Sequence, residues 1–194
     1  PSMKIFRRDE NSGKGLVVSN GLSKFKEVPV MNQASSDSLT TAVELRQGGQ
    51  GEEALQMLHR LLSTAPQDPQ LNYQCAWTCD SLGLESEAVG YYETAIAHGL
   101  EGEDLRGALL GLGSTYRCRG RYEEAEATLR RGLERFPDGT EFDAFLALTE
   151  YNRRAYPQGM ERLLKLLLAT TADPNLKKYA RALTFYADKL DQTW

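Results

Sequence analysis

Cysteine, histidine and tryptophan are scarce in this chain, and each scarcity narrows what it can do. Three cysteines among 194 residues fit a reducing compartment, the cytoplasm, better than a disulfide framework. Two histidines, His59 and His98, leave little material for acid–base chemistry. No set of nucleophile, base and orienting group can be assembled from local motifs, so the chain is read as no enzyme. Cys75 and Cys79 are four apart on one helix face, Cys118 follows in a later helix, and the histidines fall on other helices. The thiols are therefore read as core-filling side chains, and neither a metal nor another cofactor is expected. No apolar run is long enough to cross a membrane, and no signal peptide is expected. The net charge is −4, and no basic patch suits nucleic acid. What remains is ordinary for a folded protein, with 41% apolar and 26% charged residues.

The first thirty residues differ from the rest. They carry six lysines and arginines against three acids, a net +3, which leaves −7 for the remainder. Ser12-Gly13-Lys14-Gly15 lacks the first glycine and the hydroxyl residue of a phosphate-binding loop, so it is read as part of a flexible tail over 1–34. Lys26-Glu27-Val28 can be encoded as a bacterial ribosome-binding sequence a short distance before Met31. Met31 is accordingly a candidate natural start, with translated leader before it; the alternative is that the whole tail belongs to the protein.

From Ser35 onward the chain repeats. Leu109-x-x-Leu112-Gly113-x-x-Tyr116, then Ala125-x-x-x-Leu129, then Pro137, have the order and spacing of the tetratricopeptide repeat, a helix hairpin, and this stretch resembles that family. Gly113 and Ala125 let two helices approach; Leu112, Tyr116 and Leu129 fill the space around them. Aligning Ala54, Ala88, Ala125 and Gly159 yields four units, 35–68, 69–105, 106–139 and 140–172. Their starts are 34, 37 and 34 residues apart. The longer interval absorbs Gly99-Leu100-Glu101-Gly102. Helix pairs are expected near 37–47 and 52–64, 69–82 and 85–98, and 140–153 and 157–169 around the third unit. Asp173 as N-cap and Pro174 at the first helical position open one further helix to 191. Its stripe of Leu176, Tyr179, Ala180, Leu183, Ala187 and Leu190 is expected to cap the array over 173–194. The fold class implied is all-α, a right-handed α-solenoid of about four hairpins with a C-terminal capping helix.

In such arrays the first helices of the hairpins line the concave side. The positions that face the groove in this family correspond here to Leu39, Val43 and Arg46; Tyr73, Trp77 and Asp80; Leu110, Ser114 and Arg117; and Ala144, Leu148 and Tyr151. The apolar members make a floor. Arg46, Asp80 and Arg117 make a row of alternating sign, read either as a structural ion-pair ladder or as donors for a ligand. Trp77 is read either as an interface anchor or as packing against the next unit. Chaperone-binding relatives grip a C-terminal carboxylate at set positions, here occupied by Leu39, Val43, Gln70 and Gly107, so that clamp is absent.

Asp80-Ser81-Leu82-Gly83, Leu112 to Arg117 and the Gly99-Leu100 loop resemble a bacterial family of short tetratricopeptide-repeat proteins over about 35–191. That resemblance implies a cytoplasmic helical protein with no known reaction. The function expected is that of an interaction module binding a peptide or helix of a partner protein in the groove. The alternative is a structural protein that self-associates as a homodimer through its C-terminal helix, where Phe185, Tyr186 and Trp194 lie off the capping stripe.

Overall fold

The computed structural model describes residues 33–193. The leader, its Met31 start and the glycine–lysine motif lie outside the described residues, as does Trp194. Eight helices form four hairpins: α1 (Gln33–Gln47) with α2 (Gly51–Thr64), α3 (Pro69–Ser81) with α4 (Glu85–Ala97), α5 (Gly102–Cys118) with α6 (Tyr122–Arg135), and α7 (Thr140–Asn152) with α8 (Tyr156–Thr170). No strand occurs among the described residues. Each helix packs on the next in sequence, and the odd-numbered helices also touch one another in succession, α1 on α3, α3 on α5 and α5 on α7. The odd helices are therefore the inner layer of a right-handed solenoid, and its concave side is theirs.

Local chemistry accounts for the helix ends. Acids stand in the first turns of α2, α4, α5 and α6, where the amide dipoles favour negative charge. Asp68 caps α3 by accepting from the Leu71 amide at 2.9 Å, and Pro69 follows at the first helical position. The turn inside every hairpin needs one residue in the left-handed region. Gly49, Gly83 and Gly120 supply it in the first three units, with φ of 81°, 73° and 73°, and Arg154 does so in the fourth at 64°. These four positions share the spacing of the repeats.

Small residues sit where the helices of a hairpin meet. Ala54, Ala88 and Ala125 are fully buried. A Cβ on Gly113 would come within 2.6 Å of Leu129, and one on Gly159 within 3.0 Å of the Ala147 carbonyl. Around them, one continuous core runs from Ala42 through Leu58, Tyr92, Leu109 and Leu129 to Leu146.

The C-terminal segment departs from expectation. Asp173 does cap, accepting from the Asn175 amide at 2.8 Å, but the helix breaks at Tyr179. It divides into α9 (Pro174–Lys178) and α10 (Ala180–Tyr186). The break turns the expected stripe. Ala187 is buried, whereas Tyr179 and Leu190, expected inward, are exposed. Helix α10 packs on α8, yet covers it incompletely. Leu58, Tyr92 and Leu129 occupy one repeat position and are at most 2% exposed, while Leu163, their counterpart in α8, is 41% exposed.

Candidate functional site

The concave face is built from side chains that each odd helix turns away from its own hairpin. Helix α3 presents the most telling case. Every residue from Leu71 to Cys79 is buried except Trp77, which is 47% exposed. The Arg46 guanidinium, from α1, lies over the Trp77 ring with its carbon 4.0 Å from the ring centroid. It also donates to the Gln74 side-chain carbonyl at 2.8 Å. Loss of water around Arg46 pushes its ionisation down from the usual range. Leu39 and Val43 of α1 stand half-buried beside it.

Tyr73, expected in the open floor, is 4% exposed. Gly107 of α5 leaves room for its ring, so the tyrosine fills the seam between α3 and α5. Its ring lies 5.8 Å from Trp77 and 6.4 Å from Tyr92. The buried phenol ionises only at about 12, mainly because burial disfavours its anion. Tyr73 supports Trp77 from below.

The alternating row is no ion-pair ladder. Asp80 accepts from the Tyr92 hydroxyl at 2.9 Å and from the Thr115 hydroxyl at 3.0 Å. Burial raises its carboxyl above the usual range, against the effect of those two donors. Arg117 donates to the Asn152 side-chain carbonyl at 3.2 Å, and its Nε is buried without a partner. Among the described residues neither arginine meets a carboxylate, and both instead lean on neutral amides.

Along the rest of the face, Leu110, Ser114 and Ala144 are half-buried, while Leu148 and Tyr151 are exposed. The Tyr151 ring meets Tyr156 edge-on at 5.0 Å. Gln74, Asn152, Thr115 and Tyr92 were not foreseen. A signal for some of them was present, because side chains on successive odd helices meet at separations of 34 or 35 residues. Gln70 donates to Asp104 at 2.8 Å, and Arg106 grips Glu141 with two hydrogen bonds. Asp80 with Thr115 and Arg117 with Asn152 follow the same spacing.

Cys75 and Cys79 are buried as expected, whereas Cys118 is exposed. His59 meets the Tyr91 hydroxyl at 3.0 Å, and His98 the Thr94 carbonyl at 2.8 Å. Among the described residues no three potential metal ligands of the His, Cys, Asp or Glu type converge. No described helix is long and apolar enough to cross a membrane. A cleft of about 530 Å³ beside α8 holds Arg162, but Asp143 and Glu150 already neutralise it.

Comparison with known proteins agrees with this geometry. The tetratrico peptide repeat family model matches residues 69–190. No curated protein matches the chain. Among solved structures, MamA from residue 41 onward, from Desulfovibrio magneticus RS-1, is 17% identical with a TM-score of 0.66, covering 84% of this chain and 90% of that one. YrrB, described as a repeat protein of this type with an unusual peptide-binding site, is 16% identical with a TM-score of 0.61 over 78% of this chain and 77% of its own. PilF from Pseudomonas aeruginosa is 19% identical with a TM-score of 0.61 over 79% and 68%. At these identities the likeness is one of fold.

Proposed function

We propose that this chain, which belongs to the tetratricopeptide repeat family, is a cytoplasmic adaptor that binds a peptide or helix of a partner protein in its concave face and catalyses no reaction. The observation that carries this reading is Trp77, left 47% exposed at the middle of an otherwise buried stretch of α3. A rigid aromatic side chain offers contact area with little rotamer entropy to lose, and Arg46 stacked on it adds a directed cation. Leu39, Val43, Leu110, Ser114, Arg117, Leu148 and Tyr151 extend the same face. YrrB, similar in fold, has a peptide-binding site by its own description.

Selection of displayed peptides against the full chain tests the reading. Peptides chosen by the wild type lose binding to Trp77→Ala by at least about thirtyfold, since a central aromatic contributes roughly 2 kcal/mol or more. Unchanged binding by a folded Trp77→Ala protein moves the site away from the concave face.

A second reading, homodimerisation through the C-terminal end, has an observation of its own. Among the described residues, every exposed large hydrophobic side chain except Trp77 lies at Leu148 or later. Met160, Leu163 and Leu167 form one stripe on α8, and Tyr179, Phe185 and Tyr186 lie on or beside α10. An apolar patch confined to one end pairs with its own copy about a two-fold axis, not head to tail. Sedimentation equilibrium at tens of micromolar distinguishes the cases. A wild-type dimer that Leu163→Glu dissociates supports this reading, and a wild-type monomer ends it.

A further inference from the structure

Arginines in this chain fall into two groups once burial is considered. Among the described residues five are partly buried: Arg46, Arg106, Arg117, Arg121 and Arg162. Three of them are neutralised. Arg106 pairs with Glu141, Arg121 with Glu124, and Arg162 with Asp143 and Glu150. The two that meet no carboxylate of the described residues are Arg46 and Arg117, and both stand on the concave face. A cation withdrawn from water without a counter-charge is unfavourable, so these two positions carry an electrostatic cost that the others avoid.

Their partners orient them without cancelling their charge. Arg46 donates to the Gln74 amide oxygen and lies on the Trp77 ring; Arg117 donates to the Asn152 amide oxygen. The carboxylate between them in the row, Asp80, is engaged by the hydroxyls of Tyr92 and Thr115. Two guanidinium groups are thus held in place by neutral partners, Arg117 also resting on the Cys118 sulfur at 3.7 Å, and each terminal nitrogen carries a second N–H for a ligand.

We propose that the ligand of the concave face is an extended acidic peptide, with one carboxylate for Arg46, one for Arg117, and an aliphatic or aromatic side chain between them. This deepens the adaptor reading and rests on it. Spacing follows from the fold. Arg46 sits between α1 and α3, and Arg117 between α5 and α7, two interhelical distances apart. At about 8–10 Å per helix this is roughly 16–20 Å, which an extended chain spans in about five or six residues. Trp77 lies on α3 next to the first site, and Leu110 lies on α5, the next helix of the inner layer. The chain's own first thirty residues, with a net +3, have the wrong sign for this role.

The test uses the full chain and three synthetic twelve-residue peptide libraries. Each is randomised except at two positions six apart, which hold Glu, Gln or Lys. Binding is read by fluorescence anisotropy in low salt and in 0.5 M sodium chloride. The Glu library is expected to bind at least tenfold tighter than the Gln library, and the Lys library not at all. Added salt shrinks that preference. R46Q and R117Q, confirmed as folded by circular dichroism, each weaken the Glu library roughly tenfold, and R117K recovers part of the loss. The salt dependence of the wild type carries the test even where a variant fails to fold. Equal binding of Glu and Gln libraries, both lost in W77A, overturns the acidic ligand and leaves the adaptor reading standing. Absence of any binding sensitive to W77A overturns both.

Discussion

Arg154 holds, one hairpin later, the turn position that Gly120 holds in the third unit, and both take the left-handed backbone, at φ 64° and 73°. A Cβ in that region meets the neighbouring carbonyl and costs about 1–2 kcal/mol. Arg154→Gly relieves this at the expense of a more flexible unfolded chain, a cost of about 0.4–1 kcal/mol. The expected net effect is a gain between zero and about 1.6 kcal/mol, read as a higher urea midpoint with an unchanged slope.

Ala125 is fully buried where α6 meets α5. The facing surface is already closed, since Gly113 packs against Leu129 with no room for a Cβ. Ala125→Leu therefore overpacks the third hairpin and is expected to cost about 1–3 kcal/mol. A melt that matches the wild type would remove Ala125 from the hairpin contact.

Asp80 predicts a pH dependence of definite sign. Its carboxyl is raised in the folded protein, chiefly by burial, so the folded state binds its proton more tightly than the unfolded state does. The contribution is favourable at low pH, and stability is lost as pH rises from the ordinary carboxyl range through the raised one. Glu141, lowered by its hydrogen bonds from Arg106, acts in the opposite sense. Comparing wild type with Asp80→Asn isolates the first effect. The stability difference between the two should move in favour of the wild type as pH falls from 7 toward 4, and a constant difference across that range counts against it.

The three thiols should separate by reactivity. Burial pushes Cys75 and Cys79 up to about 12, so little thiolate exists at neutral pH and reagents reach neither. Cys118 is exposed. Mass spectrometry after a short alkylation of native protein should find one adduct, on Cys118, and three only in denaturant. Rapid native labelling of Cys75 would mean that α3 opens locally.

The family, the hairpins and their order were legible from sequence, and particular residues show why. Gly49, Gly83 and Gly120 recur at the interval of Ala54, Ala88 and Ala125, and the structure places a left-handed turn at each such glycine. Turn geometry and the close approach of two helices depend on residues near one another in the chain. A backbone angle or a missing Cβ is a local property, so spacing is sufficient to reveal it. Asp173 with Pro174 announced a helix start for the same reason.

Tertiary structure alone decided which side chains stay open and which charges stay unpaired. Tyr73 and Trp77 are one helical turn apart, yet Gly107 on the next unit buries the first and leaves the second exposed. Arg46 and Asp80 were placed in one row, but the offset of successive helices sends Asp80 to Thr115 and Arg46 to the face of Trp77. Leu163 holds in the fourth unit the repeat position that Leu129 holds in the third, yet it is exposed where Leu129 is buried. Such contacts join residues 31 to 35 positions apart, and they depend on how one hairpin is rotated and shifted on the next. No single repeat encodes that rotation, because it is the joint result of packing along the whole array.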